Sequence, residues 1–181
     1  MVTTDVQRLS GWCIETVNAR VISVDAPCRW SIDGRARPAE RALMGMGIWC
    51  FSTPTRQGPW LIREIISVGC SEARHCIAHL HRRTRWSPDF QCPAEGAALK
   101  SFPHAITWHM RGGNADASRK RAQRRALLEA AEIDLTMLTN IDLVDAALCA
   151  LAAYRAATGG ACVSFGEPGT GLIIVPARQN Q

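Results

Sequence analysis

The chain alternates between short apolar runs typical of strands and longer segments with helical periodicity. Residues 21–24 (VISV) predict a buried strand, and Pro27 stops it because proline cannot donate to a strand ladder. Further strands are predicted at residues 98–102, 163–165 and 172–175, the last two as a terminal hairpin or strand pair. Strands mixed with helices predict an α/β or α+β sheet.

Helices are predicted where apolar residues recur every three or four positions. The predicted helices span residues 5–18, 37–46, 60–83, 103–110, 117–131 and 141–157. The strand at 21–24 is as apolar as a central strand, which needs a neighbour on each side. With so few strands predicted, we expect the chain to lack strands of a complete domain, or a partner chain to pair with the unpaired edge.

Composition predicts one globular domain over residues 1–181. The chain is 47% hydrophobic and 20% charged, which is enough apolar material for a core. The most apolar stretch, residues 141–154, is short and contains two aspartates, so no membrane span is expected. The N-terminus lacks the pattern of a secretory signal, so a cytoplasmic location is expected. The eight cysteines are scattered without a CxxC pair, which predicts free, buried thiols.

The net charge of +5 is concentrated in two basic clusters. One lies at residues 82–86. The other belongs to the predicted helix 117–131 and is a candidate for binding nucleic-acid phosphates, with a solvated helix face as the alternative. Its members are Arg119, Lys120, Arg121, Arg124 and Arg125.

Two aspartates stand out on the apolar helix 141–157. Asp142 and Asp145 are three residues apart, so both carboxylates can point the same way. Asp142 has a structural alternative, because Thr139 and Asp142 have the spacing of a capping box. Capping does not account for Asp145, for which a salt bridge to an arginine and a metal ligand both stay open.

Asp25 directly follows the strand 21–24, and ligands of open α/β sheets gather at the carboxyl ends of strands. The alternative is an aspartate that closes a turn before Pro27. Together with Asp142 and Asp145, Asp25 makes a candidate site for Mg²⁺ or Mn²⁺, which prefer oxygen ligands. Arg37 and Glu40 have the spacing of an ion pair on one helix.

A zinc site is a weaker alternative. His75 and His79 are one helical turn apart, and Cys70, Cys76 and His81 lie nearby. Neither HExxH nor paired CxxC spacing is present, so a structural zinc site is not favoured.

Five segments, in this order, resemble the domain-of-unknown-function 429 (DUF429) family, whose members are predicted ribonuclease H-like nucleases. They are VISVDAP (21–27), RPAERALMGMGI (37–48), FPHAITW (102–108), IDLVDAALCALAA (141–153) and FGEPGTGLIIVP (165–176). The resemblance implies a ribonuclease H-like mixed sheet flanked by helices and a metal-binding acidic cluster. By position, Asp25 is its strand acid and Asp145 its final-helix acid, with Asp142 beside it, while Arg37 and Glu40 match the family's basic-acidic pair.

The chain departs from this family pattern in two places. Family members begin with a strand that carries an aspartate, and this chain begins after that point, so the domain is expected to be N-terminally incomplete. Lys100 stands where the family often has a glutamate before the Pro motif. A lysine there replaces negative charge with positive and weakens Mg²⁺ binding.

Three functions are compatible with these patterns. The first is a metal-dependent nuclease, impaired by the two departures, in which Asp25, Asp142 and Asp145 hold the metal and the basic helix grips the backbone. The second is a non-catalytic nucleic-acid-binding or assembly module on the same fold. The third is a zinc-stabilised interaction protein. A homo-oligomer formed through the unpaired sheet edge is a further expectation.

Overall fold

The helices and strands lie close to their predicted positions. The structure is a computed structural model that describes residues 8, 11–19, 21–25, 31, 33–53, 55, 97–167 and 172–177. The strands are β1 (Val21–Val24), β2 (Ala97–Lys100), β3 (Cys162–Phe165) and β4 (Ile173–Pro176). The α-helices are α1 (Pro38–Gly45), α2 (Pro103–Met110), α3 (Lys120–Ala130) and α4 (Ile141–Ala157).

The four described strands form one mixed sheet in the order β1-β2-β4-β3. β1 pairs with β2 in parallel, with Val21 opposite Ala97 and Val24 opposite Lys100, and β2 pairs with β4 in parallel. β3 and β4 are antiparallel, which confirms the predicted terminal strand pair. The α/β prediction is therefore confirmed, whereas the ribonuclease H-like assignment stays a prediction.

β1 lies at the edge of the described sheet, and its residues are only partly buried. α4 covers one face of β1, and β2 is its one neighbour among the described strands. The second neighbour that its apolar sequence indicated stays a prediction.

Proline and polar caps define the ends of the helices. Pro103 begins α2, as predicted, while β2 ends at Lys100, two residues before the end of the strand predicted over 98–102. The segment predicted as a single helix over 117–131 begins with a 3₁₀ turn at Ala117–Arg119. In the described part of the helix predicted over 5–18, Arg8 and Gly11 are α-helical, and a π-helical turn follows at Trp12–Thr16.

The predicted cap of α4 was wrong by one residue. Asn140, not Thr139, caps this helix, because the Asn140 side chain accepts a hydrogen bond from the Leu143 backbone N–H at 2.9 Å. Asp142 therefore lies at the second helical position and does not complete a capping box with Thr139.

One apolar core joins the helices to the sheet. Its fully buried members include Leu43 on α1, Ile106 on α2, Leu128 on α3, Leu148 on α4 and Val175 on β4. The helices α2, α3 and α4 pack against one another. This packing brings α3 and α4 to the same end of the sheet as Asp25.

Some sequence predictions fall outside the described residues. These are the helix 60–83, the zinc alternative at residues 70–81 and the basic cluster at 82–86. The four described cysteines, Cys13, Cys50, Cys149 and Cys162, are free thiols, as predicted, but only Cys50 and Cys149 are buried. None of the helices within the described ranges has the length and apolar character needed to cross a membrane.

Candidate functional site

Asp25 and Lys100 lie side by side at the carboxyl ends of two parallel strands. Lys100 is the register partner of Val24, and the Ser101 backbone N–H donates to the Val24 carbonyl at 3.2 Å. Asp25, the next residue, lines a cavity of about 180 Å³ together with Lys100. The sheet therefore places Asp25 where ligands of such sheets gather, but with a cation as its neighbour.

Asp145 on α4 forms an ion pair with Arg124 on α3. The Arg124 Nη1 donates to Asp145 Oδ1, and the two side chains are only 6% and 20% exposed. Of the two alternatives that the sequence left open for Asp145, the salt bridge to an arginine is therefore present. A buried guanidinium compensates for the cost of burying this carboxylate.

These two pairs act on each other electrostatically. Asp25 is exposed as a residue, but the loss of water around its carboxylate raises its pKa, and the nearby charge of Asp145 raises it further, while Lys100 and Arg124 oppose both effects. The pKa of Asp145 is also raised by burial, against the opposing charge of Arg124. Two carboxylates and two cations thus form one group, which we term the four-charge cluster: Asp25, Lys100, Arg124 and Asp145.

Asp142 is not a member of this cluster. It is exposed in the first turn of α4, where a negative charge is favoured by the helix dipole. Its charge contributes to raising the pKa of Asp145, so the two aspartates interact without forming a shared ligand set.

The four-charge cluster does not fit Mg²⁺ or Mn²⁺. Within the described part of the chain, no three His, Cys, Asp or Glu side chains are grouped so that they would hold a metal ion. Asp145 is bound by the Arg124 guanidinium, and Asp25 shares its cavity with the Lys100 side chain. A dication would enter beside two positive charges and compete with them for both carboxylates.

A second buried ion pair also lines the Asp25 cavity. The Arg37 Nη2 contacts Glu40 Oε1 at 2.7 Å, and the Arg37 backbone N–H donates to Glu40 Oε2 at 2.8 Å. The Thr53 hydroxyl and backbone N–H also donate to the Glu40 carboxylate, at 2.5 and 3.2 Å. The predicted Arg37–Glu40 pair is present, and it fixes the start of α1 to the segment that follows that helix.

Hydrogen bonds keep the Glu40 carboxylate ionised. Burial alone would raise its pKa, but donors from Thr53 and Arg37 hold the pKa of Glu40 below its ordinary value. Glu40 therefore stays ionised in the interior, where it has a structural role beside the cavity.

The predicted basic cluster divides into a surface group and one buried residue. Arg121 Nη2 donates to the Thr139 carbonyl and Arg125 Nη1 to the Leu138 carbonyl, both at 2.9 Å. Arg124 points the other way, into the four-charge cluster, so it is not available to a ligand at this surface. We use the name α3 basic surface for the remaining four: Arg119, Lys120, Arg121 and Arg125.

The α3 basic surface borders an open groove of about 640 Å³. Arg119, Arg121 and Arg125 line it, together with Glu129 and Leu135. Arg119 also lies 3.8 Å from Asp116, so part of its charge is compensated at the surface.

The motifs around Asp25, Glu40 and Asp145 all fall in one stretch, residues 3–170, which matches the model of a family described as "Protein of unknown function (DUF429)". The chain belongs to the DUF429 family. No curated protein and no solved structure matches it. The chemistry of this DUF429 domain must therefore be argued from its own residues.

Two residues that lie beside these charged groups were not predictable from the sequence. Thr53 lies thirteen positions beyond Glu40 in a turn-rich segment, and nothing in that spacing indicates a contact. Cys149 lies one helical turn beyond Asp145, and the charges of Asp25 and Asp145 act on it. Its apolar neighbours predicted only a buried thiol.

Proposed function

We propose that this DUF429 protein binds the phosphate backbone of a nucleic acid through the α3 basic surface and does not cleave it. The observation that carries the proposal is the anchoring of Arg121 and Arg125 to backbone carbonyls at the edge of an open groove. Anchoring orients both guanidinium groups before a ligand arrives, which reduces the entropy lost on binding.

Each anchored guanidinium keeps donors for a phosphate. An arginine carries five N–H donors in a planar fork, and the described contacts use one nitrogen of Arg121 and one of Arg125. The two residues are four apart and share one face of α3, with exposed Lys120 and Arg119 at its start. Such a row suits a sugar-phosphate backbone without reading base sequence.

The non-catalytic part of the proposal is supported by the four-charge cluster. Asp145 is bound by the Arg124 guanidinium and Asp25 lies beside Lys100, so both carboxylates already have counter-charges from the same chain where a nuclease would place a metal ion. The described residues therefore support phosphate binding more strongly than hydrolysis.

Fluorescence anisotropy with labelled single-stranded, duplex and hybrid nucleic acids tests the binding. We expect the logarithm of the association constant to fall linearly with the logarithm of salt concentration, because bound arginines release counterions from the backbone. Arg121→Glu/Arg125→Glu should weaken binding by at least about tenfold at low salt. Arg35→Glu/Arg41→Glu is the matched control, since it makes the same charge change at exposed arginines outside the surface.

Circular dichroism melts must first show that both double variants fold. Equal affinity of the wild type and Arg121→Glu/Arg125→Glu would overturn the proposal, as would an affinity that does not change with salt.

A second candidate is metal-dependent hydrolysis of phosphodiesters, the nuclease activity predicted from the sequence. It is favoured by one observation, the electrostatic contact between Asp25 at the end of β1 and Asp145 on α4. Cleavage assays with Mg²⁺ or Mn²⁺ against EDTA, for the wild type and Asp145→Asn, distinguish the candidates. Metal-dependent cleavage that disappears in Asp145→Asn would replace the non-catalytic proposal, and a ribonuclease H-like assignment would then gain its first functional support.

Self-association through β1 also stays a proposal. β1 is the edge of the described sheet, and an apolar edge strand favours pairing with another chain. Light scattering over a range of protein concentrations tests it, with a constant monomer mass as the contradicting result.

A further inference from the structure

We infer that Lys100 and Arg124 take the place of a divalent cation in this fold, and that Lys100 is the residue that excludes the metal. The inference does not depend on nucleic-acid binding. It concerns the four-charge cluster alone, which lies on different residues from the α3 basic surface.

The positive and negative charges of the four-charge cluster are equal in number. Its members come from four elements, because Asp25 follows β1, Lys100 ends β2, Arg124 is on α3 and Asp145 is on α4. Its two negative and two positive charges sum to zero, and Lys120 and Asp142, which also act on Asp145, add one charge of each sign and leave this balance unchanged. The carboxylate pair therefore needs no further cation for its neutralisation.

The two cations of the cluster differ in how much of the structure a substitution would disturb. Arg124 is 5% exposed and its guanidinium is held by Asp145 between two packed helices. Lys100 is less completely buried, and its ammonium group is a compact charge on a flexible stem beside Asp25. Lys100 is thus the position at which a single substitution changes the charge of the site and leaves the α3–α4 contact intact.

A softer metal is disfavoured. Cys50 lines the cavity with Asp25 and Lys100, and Cys149 lies one helical turn beyond Asp145. Burial raises the pKa of both thiols, that of Cys149 to about 12. A thiol must lose its proton to bind a metal such as zinc, so burial makes both thiols poor ligands at neutral pH. The cation class that would fit after removal of Lys100 is a hard ion with oxygen ligands.

Mn²⁺ binding, measured by the loss of its free electron-paramagnetic-resonance signal, tests the inference on the full chain. The wild type should show no stoichiometric binding, and its melting temperature should be the same in EDTA and in Mn²⁺. Lys100→Glu should bind one equivalent at least about tenfold more tightly than the wild type, because the net charge of the cluster changes from zero to minus two. Adding Asp25→Asn to Lys100→Glu should remove that gain.

Arg111→Glu serves as the matched control, since it makes the same change of charge at an exposed residue after α2. It should leave Mn²⁺ binding at the wild-type level. If Lys100→Glu fails to fold, Lys100→Gln removes the ammonium charge without adding a carboxylate and should also tighten binding. Stoichiometric Mn²⁺ binding by the wild type that Asp25→Asn abolishes would overturn the inference. So would a folded Lys100 variant that binds no more tightly than the wild type.

Discussion

Glu40 shows how a charged side chain is maintained in the interior of this protein. It is 2% exposed, yet its carboxylate receives donors from the Arg37 side chain and backbone and from Thr53. Removing the charge leaves Arg37, itself 8% exposed, without its counter-charge. The cost of breaking such a buried pair exceeds that of an exposed pair, because the remaining ion has lost its hydration.

Glu40→Gln should lower the free energy of unfolding by about 3 kcal/mol at neutral pH, as expected when a buried ion pair loses one partner. The folded-state pKa of Glu40 lies below its ordinary value of 4.5, so this stabilisation is present above pH 4.5 and is lost as the pH falls through the folded-state pKa. Urea titrations of both proteins from neutral to acidic pH measure the difference. Glu129→Gln, at an exposed position on α3, is the control. A difference that stays constant across the range would contradict the ion-pair explanation.

Spacing was enough to predict part of this site. The interval between Arg37 and Glu40 predicted their pairing on one helix. In the structure Arg37 is the extended cap residue of α1, and an acceptor three positions later reaches the backbone N–H of such a cap. Thr53 and the cavity beside Asp25 were not predictable, since they depend on how a turn folds back against α1. The pairing of Arg124 with Asp145 was open for the same reason: periodicity shows which face of each helix is apolar, but not which residues of two helices meet.

At the scale of elements, helix ends were predicted best where one residue type dictates the backbone. Pro103 begins α2 because its ring fixes the dihedral angle of a first helical residue, and α4 has the predicted bounds Ile141–Ala157. The cap of α4 was predicted one position too early. Thr139 and Asn140 are both suitable cap residues, and sequence alone does not show which side chain reaches an open backbone N–H.

Substitution of these two residues tests the assigned cap. Asn140→Ala should destabilise the protein by about 1 kcal/mol, because the Leu143 N–H loses its acceptor at the start of α4. Thr139→Ala should have an effect near zero, since in the structure the Thr139 backbone carbonyl, which alanine keeps, is the acceptor for Arg121. Chemical denaturation of the three proteins gives both values. A larger loss for Thr139→Ala than for Asn140→Ala would restore the capping box predicted from sequence.

At the scale of the whole molecule, the class of the fold was predictable and the strand order was not. Apolar runs identify individual strands, but the order β1-β2-β4-β3 depends on which strands become neighbours after the helices cross over the sheet. β1 lies at the edge of the described sheet with α4 on one face, and its apolar sequence did not show which strands would be its neighbours.

A single core is shared by α1, α2, α3, α4 and β4, so we expect these elements to unfold together. Substitution of Leu148 tests this cooperativity. Leu148 is fully buried on α4, and truncation to alanine should lower the free energy of unfolding by about 3 kcal/mol through lost contacts and the cavity left behind. Because the core is shared, helix content followed by circular dichroism and tertiary structure followed by tryptophan fluorescence should still unfold in one coincident transition. Met137→Ala, at a side chain that is 79% exposed, should leave that transition unchanged. Two separated transitions in Leu148→Ala would mean that α4 and the sheet unfold independently, and the core would then have to be divided into two cooperative units.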